Sequence, residues 1–151
     1  EVCLASRARM TELWEQRGRD PLRGHRLLRI GLNPPRESLY ERINARARAM
    51  FSNGLVEETR SLLEHFGAIA ALQSLGYHQA AQLLRGELNL EQAIAAAQQG
   101  HRNFAKRQMT WFRREPEVIW LEGFGDDAAT AQQAAEYVLK GSSGSGLVRH
   151  D

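Results

Sequence analysis

Apolar residues recur at the helical period along most of the chain, and two short continuous apolar runs interrupt this pattern. The runs Leu27–Leu32 and Glu117–Glu122 predict buried strands. Continuous apolar runs are typical of parallel strands covered on both faces, and two strands alone make a poor sheet. We therefore expect both strands to belong to a larger sheet. The helical spacing predicts helices over residues 2–16, 36–52, 55–66, 68–75, 77–84, 90–114 and about 126–139.

Polar residues at the predicted helix starts support these boundaries. Asn33 precedes two prolines that suit a first helical turn, and it is a possible N-cap of the helix over 36–52. Asn89 and Gln92 have the spacing of a capping box. Asp126 or Asp127 is expected to cap the last helix. The fold class predicted from the pattern is mainly α with two short strands.

Composition narrows the class of protein. The 151 residues form one domain or a piece of one, with a net charge of +2. Cys3 is the single cysteine, which excludes an intrachain disulfide and a Cys-based zinc site and agrees with a cytoplasmic protein. No apolar run approaches the length of a membrane span. The chain begins on Glu1 in what reads as mid-helix, so we expect a piece of a longer protein, whereas residues 141–151 predict a flexible tail.

Arg46 is unusual because it falls within the apolar stripe of its helix. On a helix that turns about 100° per residue, Arg46 lies about 20° from Leu39, on the same side as Ile43 and Met50. An unpaired charge is costly to bury, so the guanidinium needs a partner. One interpretation is a salt bridge to a core carboxylate, or a side chain that extends to the helix edge. The other is an arginine directed at a phosphate in a cleft.

The helix over 90–114 carries a basic segment without acids, from Gly100 to Arg114. No oppositely charged pair at i,i+4 forms within it, although solvated helices usually mix signs. The segment is therefore either a solvated face or a contact surface for nucleic-acid phosphates. The helical angles predict a core face of Ala97, Phe104, Gln108 and Trp111, and an opposite basic face of Arg102, Lys106 and Arg113, flanked by Arg107 and Arg114.

The run Leu75-Gly76-Tyr77-His78-Gln79 joins two short helices through a glycine. Its tyrosine could stack on a base, and the two following side chains could form hydrogen bonds with it. A tyrosine packed at a helix–helix turn is the alternative. The sequence has no Gly-rich phosphate loop, zinc-protease motif, nucleophile elbow or Cys/His cluster, so we expect no catalysis by these residues alone.

Taken in order, these segments resemble the C-terminal half of the tRNA dimethylallyltransferase (tRNA isopentenyltransferase) family, over about residues 1–122. The most specific run is Ala105-Lys106-Arg107-Gln108 followed by Thr110-Trp111-Phe112-Arg113. The other matching runs are Ile30-Gly31-Leu32 with Arg36, Leu39-Tyr40 with Arg42-Ile43 and Arg46, Met50, Gly54-Leu55-Val56-Glu57-Glu58, and Leu75-Gly76-Tyr77.

The resemblance implies transfer of a dimethylallyl group from its diphosphate to N6 of the adenosine 3′-adjacent to the tRNA anticodon. It implies a P-loop-like α/β domain with a helical insertion, a reaction that uses Mg²⁺, and a monomeric cytoplasmic enzyme. The expected partners are the anticodon stem-loop and dimethylallyl diphosphate, with no membrane. Residues 1–24 would end the insertion, and residues 25–140 would form the C-terminal part of the α/β domain.

The resemblance also implies roles for individual residues. Arg46 matches the arginine that contacts the substrate diphosphate. The basic stripe adds Arg102 as a tRNA contact. The tRNA-contacting positions implied by the two matching segments are Gln73, Ser74, Leu75, Gly76, Tyr77 and His78, and Lys106, Arg107, Gln108, Met109, Thr110, Trp111, Phe112 and Arg113.

Departures from the family pattern leave other functions open. His78 stands where Lys or Arg is usual, and several residues are expected between Gly67 and Ala68. The P-loop and catalytic Asp of the family are absent from this sequence, and no metal ligands are identified in it. A non-catalytic helical RNA-binding module and a helical protein–protein domain are the competing hypotheses.

Overall fold

Helices form most of the chain in the computed structural model, which describes residues 11–12 and 27–143. Thr11 and Glu12 are helical, while the rest of the helix predicted over 2–16 and the tail beyond residue 143 lie outside the described residues. None of the described helices has both the length and the apolar character needed to cross a bilayer. The elements are β1 (Arg29–Leu32), α1 (Arg36–Ser52), α2 (Leu55–Phe66), a 3₁₀ turn (Ala70–Gln73), α3 (Tyr77–Leu84), α4 (Leu90–Phe112), β2 (Val118–Leu121) and α5 (Ala128–Ser143).

Most predicted boundaries are confirmed, and α1, α2 and α3 begin and end at the predicted residues. The segment predicted as a helix over 68–75 forms only the 3₁₀ turn, in which Leu72 is buried. The last helix continues to Ser143, past the predicted end and into the predicted tail. A glycine such as Gly141 lowers helix stability by only about 1 kcal/mol, so it need not end the helix.

The predicted capping box of α4 is confirmed. The Asn89 side chain accepts a hydrogen bond from the backbone N–H of Gln92 at 2.9 Å, and the Gln92 side chain accepts one from the backbone N–H of Asn89 at 2.9 Å. The predicted cap of α1 is wrong, because Pro35 occupies the N-cap position without a side-chain hydrogen bond. Asn33 instead extends the sheet, donating its backbone N–H to the carbonyl of Leu121 at 2.8 Å.

The two strands pair in parallel, as their apolar runs predict, with Arg29 opposite Val118 and Leu32 opposite Leu121. No third strand joins them within residues 27–143. Among the described strand residues only Leu121 is buried, and Trp120 is 36% exposed, so the described elements do not cover both faces of the pair. The larger sheet stays a prediction.

The core lies where α1, α2, α3 and α4 meet. It is formed by Phe51, Leu55, Ala80, Ala93, Ile94 and Ala97. The predicted core face of α4 is buried at Ala97 but not nearer the C-terminal end, because Phe104 is 46% and Trp111 59% exposed, and Gln108 is exposed as well. The described elements cover only the first half of that face.

Ile94 tests this assignment of the core. Ile94→Ala should lower the free energy of unfolding by about 2–5 kcal/mol, because it leaves a cavity in a packed core. Leu90→Ala on the same helix should cost far less, since Leu90 is 48% exposed. Urea denaturation of both variants measures the difference. Equal losses would mean that α4 buries a different face.

Candidate functional site

A cavity of about 850 Å³, here called the central cavity, lies between α1, α4 and the segment before α3. Its volume is within the range of small-molecule sites. It collects charged and polar side chains from distant parts of the chain, and none of the described residues that line it is acidic. The predicted site residues that share it are Arg46, Gln73, Ser74, Leu75, Arg107 and Gln108.

Arg46 is exposed and lines two cavities. Besides the central cavity it borders a smaller one, of about 370 Å³, which Glu58 and Tyr77 also line. Within the described residues the Arg46 side chain forms no hydrogen bond or ion pair. Its five N–H donors are therefore available to a ligand, in the planar arrangement that suits phosphate.

Among the described residues Arg46 forms no buried salt bridge, whereas a side chain that extends to the helix edge agrees with its exposure. The predicted apolar stripe is only half-buried at Leu39, whereas the buried residues of α1 are Ala47 and Phe51. These lie about 80° and 120° around the helix from Leu39, so Arg46 is at the edge of the buried face.

Glycines hold the segment before α3 against the helices. Gly76 has a φ of +93°, a conformation that favours glycine, and a Cβ there would lie 2.9 Å from Cε of Met50. A Cβ at Gly100 of α4 would lie 2.7 Å from Cδ2 of Leu75. This close approach brings Gln73 and Ser74, both exposed, to the central cavity beside α4. The glycine of the predicted tRNA segment thus has a structural role.

Tyr77 packs against the core, and its hydroxyl donates a hydrogen bond to Oε1 of Glu58 at 2.9 Å. This bond to a carboxylate, together with partial burial, raises the pKa of Tyr77 above its usual value. The packed-tyrosine alternative agrees with this position, and stacking on a base stays a prediction. His78 is half-buried. It lies near Glu87, whose pKa is lowered mainly by Arg85 and to a smaller extent by His78.

His101 is a site residue that the sequence analysis missed. It lines the central cavity from α4, and its Nε2 is buried without a hydrogen-bond partner among the described residues. Burial and the nearby charge of Arg46 lower the pKa of the imidazole below its usual value. A single histidine without a ligand partner at a regular spacing is not distinctive in a sequence. Its position seven residues, or about two helical turns, before Gln108 does place both residues on the same side of α4.

A second group of predicted residues lies on the other side of α4. Lys106 and Arg113 are exposed and line a groove of about 240 Å³ with Arg36, between α4 and the start of α1. Met109 and Thr110 line the same groove. Within the described residues Lys106 and Arg113 form no salt bridge, so their charges are available to phosphates.

Arg102 does not belong to that group, which corrects the predicted stripe. It is half-buried, and its guanidinium donates hydrogen bonds to Oδ1 of Asn44 at 2.5 Å and Oε1 of Gln99 at 2.6 Å. The angle-based prediction placed it opposite the core, but α1 packs against that side of α4. Arg102 therefore contributes to the packing of two helices.

Trp111 and Phe112 border a third region, an apolar hollow of about 810 Å³ beside the sheet. Their rings meet edge to face with centroids 5.0 Å apart, and both are exposed.

The metal expected from the resemblance has no ligand set here, since no group of three or more His, Cys, Asp or Glu residues in the described ranges could hold an ion.

Comparison with known proteins defines the class. The family model described as IPP transferase matches residues 1–115. The tRNA dimethylallyltransferase of Koribacter versatilis is 66% identical over 139 residues, which are 91% of this chain and 45% of that protein. The tRNA dimethylallyltransferase of Solibacter usitatus is 51% identical over 142 residues, 93% of this chain and 46% of that protein. These relatives are tRNA-modifying transferases, and the chain belongs to the IPP transferase family.

Solved structures agree with this assignment. The tRNA isopentenylpyrophosphate transferase of Bacillus halodurans has a TM-score of 0.67 and 33% identity, over 76% of this chain and 38% of that one. The corresponding enzyme of Staphylococcus epidermidis has a TM-score of 0.66 and 32% identity over the same shares. The resemblance seen in the sequence motifs is thereby confirmed. The chain spans about half the length of the curated relatives that it matches.

The exposure of Arg46 makes a prediction about stability. Arg46→Ala should change the free energy of unfolding by less than about 0.5 kcal/mol, because the side chain is exposed and unpaired. Arg42→Ala, on the same helix, should destabilise more, since that guanidinium bonds Asp126 at 2.8 Å and lies 3.6 Å from the Phe124 ring centroid. Thermal melting of this chain compares them. A loss of about 3–5 kcal/mol in the free energy of unfolding for Arg46→Ala would instead support the interpretation of Arg46 as part of a buried salt bridge.

Proposed function

We propose that this chain supplies tRNA contacts and a diphosphate-binding arginine to a tRNA dimethylallyltransferase. The reaction moves a dimethylallyl group from its diphosphate to N6 of the adenosine 3′-adjacent to the anticodon. Family membership supports this function, and one observation carries it: Arg46 shares the central cavity with residues of both predicted tRNA segments, Gln73–Leu75 and Arg107–Gln108.

The chemistry gives Arg46 a defined task. The N6 atom forms a bond to the first carbon of the dimethylallyl group, and the carbon–oxygen bond to the diphosphate breaks. The electron pair leaves with the diphosphate, and N6 loses a proton. Negative charge grows on the departing diphosphate, so a fixed cation beside it stabilises the transition state more than the ground state.

The cations on both sides of α4 are suited to the tRNA backbone. Arg107 lines the central cavity, and Lys106 and Arg113 line the groove on the other side. A phosphate backbone that follows the exposed end of α4 would meet all three. This arrangement favours a nucleic-acid surface over a merely solvated face, since no carboxylate of the described residues pairs with them.

The alternative is a non-catalytic helical RNA-binding module. It accounts for the basic end of α4, but it gives no task to Arg46, which borders a central cavity with no acidic residue among its described lining. The two functions predict different results for Arg46, because a simple RNA-binding module has no diphosphate to stabilise.

Binding of tRNA by this chain should depend on salt through Lys106, Arg107 and Arg113. Replacing all three by Ala should lower the slope of log affinity against log salt by roughly 0.7–0.9 for each phosphate that the variant no longer binds. The control replaces Arg48, Arg60 and Arg85, which removes the same charge elsewhere; Arg48 and Arg85 are already ion-paired. Filter binding at several salt concentrations measures both slopes. Equal slopes for the two variants would contradict a specific contact surface.

Transfer itself should depend on Arg46. The test protein joins this chain to the remaining part of the Koribacter versatilis relative, and single-turnover transfer of labelled dimethylallyl to tRNA is measured. Arg46→Ala should cost about 2–4 kcal/mol of transition-state stabilisation. Arg46→Lys should restore only part of it, because the planar donor fork is replaced by a single ammonium.

Two controls accompany that experiment. Arg48→Ala, two residues away on α1, should leave transfer nearly unchanged, because Arg48 pairs with Glu91 outside the cavity. The 151 residues alone should give no transfer. Near-normal transfer by Arg46→Ala would refute the role of this arginine. Turnover by the isolated chain would refute the prediction that the reaction also needs residues outside this chain.

A further inference from the structure

The environment of His101 is unusual for a histidine in a cavity wall. Its Nε2 is buried and has no hydrogen-bond partner among the described residues, although buried polar atoms are nearly always paired. The same imidazole lines the central cavity together with Arg46. Burial, and then the charge of Arg46, lower the pKa of His101 and so favour the neutral ring.

Among the described residues, the charges that line the cavity with His101 all have one sign. Arg46 comes from α1 and Arg107 from α4, while the segment before α3 contributes only Gln73, Ser74 and Leu75. On the far side of Arg46, Glu58 lines the smaller cavity and accepts the hydrogen bond of Tyr77. No acidic side chain among the described residues that line the central cavity offsets the two guanidinium charges.

An anion in this cavity would reverse the electrostatics at His101. Its negative charge would offset the field of Arg46, which is what disfavours the imidazolium after burial. A protonated imidazole has two N–H donors, so an anion oxygen in the cavity that the ring lines could accept a hydrogen bond from it. Anion binding and protonation of His101 would therefore favour each other.

We propose that the central cavity is a proton-linked anion site, in which His101 takes up a proton when a diphosphate group binds beside Arg46. The inference rests on the proposed function for its ligand class. It adds His101 as a second cation that forms only when the site is occupied. Diphosphate binding by this protein then depends on pH through a residue of the protein.

The first test follows His101 directly. The imidazole signals of the 151-residue chain are titrated by NMR with and without inorganic pyrophosphate. The pKa of His101 should be below its usual value without the ligand and should rise when pyrophosphate binds. His65, an exposed histidine of α2 outside the cavity, serves as an internal control and should not respond.

The second test compares affinities. Pyrophosphate itself gains and loses protons in the same pH range. At each pH the affinity of the wild-type chain is therefore divided by that of His101→Gln. The protonation of the ligand affects both affinities alike and cancels in this ratio. The ratio should be largest at low pH and fall as pH rises through the pKa of the occupied site. Each unit of pKa rise corresponds to about a tenfold change in this ratio. The ratio of wild type to His65→Gln should stay constant.

The outcomes separate this inference from the proposed function. Pyrophosphate binding without a response of His101, or no binding at all, would overturn the inference. If His101→Gln fails to fold, the NMR titration of the unmodified chain decides alone. Proton-linked pyrophosphate binding combined with Arg46-independent transfer would leave the anion site standing and remove the proposed function.

Discussion

The packing of α1 against α4 is the contact on which the rest of the structure depends. Small side chains are buried on both helices, Ala47 on α1 and Ala93 and Ala97 on α4. A hydrogen bond helps to fix the position of the two helices relative to each other, because the side-chain amide of Gln98 on α4 donates to the backbone carbonyl of Asn44 on α1 at 3.1 Å. The central cavity lies on one side of this helix pair and the groove with Lys106 on the other. A shift of one helix would change both.

Local signals predicted the elements well because helix boundaries are set by nearby residues. The Asn89–Gln92 box starts α4 as expected. Burial was predicted less well, because helical angles show which residues share a face and not which neighbour covers it. Phe104 and Trp111 are therefore apolar but exposed within the described residues, and Arg102 is held against α1 instead of lying in solvent.

The same distinction explains the site. Arg46 could be selected from the sequence because a charge within an apolar stripe conflicts with its neighbours. His101 could not, since its significance comes from Arg46, which lies 55 positions earlier in the chain. The run around Gly76 was interpretable only in part: its glycine and tyrosine have structural contacts, whereas Gln73 and Ser74 reach the cavity because Leu75 fits closely over Gly100.

The parallel pairing of the strands has a consequence for the order of folding. Arg29 and Val118 are 89 positions apart, whereas α3 contacts both α2 and the 3₁₀ turn over short separations. Closing a loop of that length costs entropy before its contacts form. α2, α3 and the 3₁₀ turn can therefore assemble early, and the sheet should form last, with the Arg42–Asp126 ion pair closing beside it. The region around β1 and β2 should accordingly show weaker hydrogen-exchange protection than the helical core.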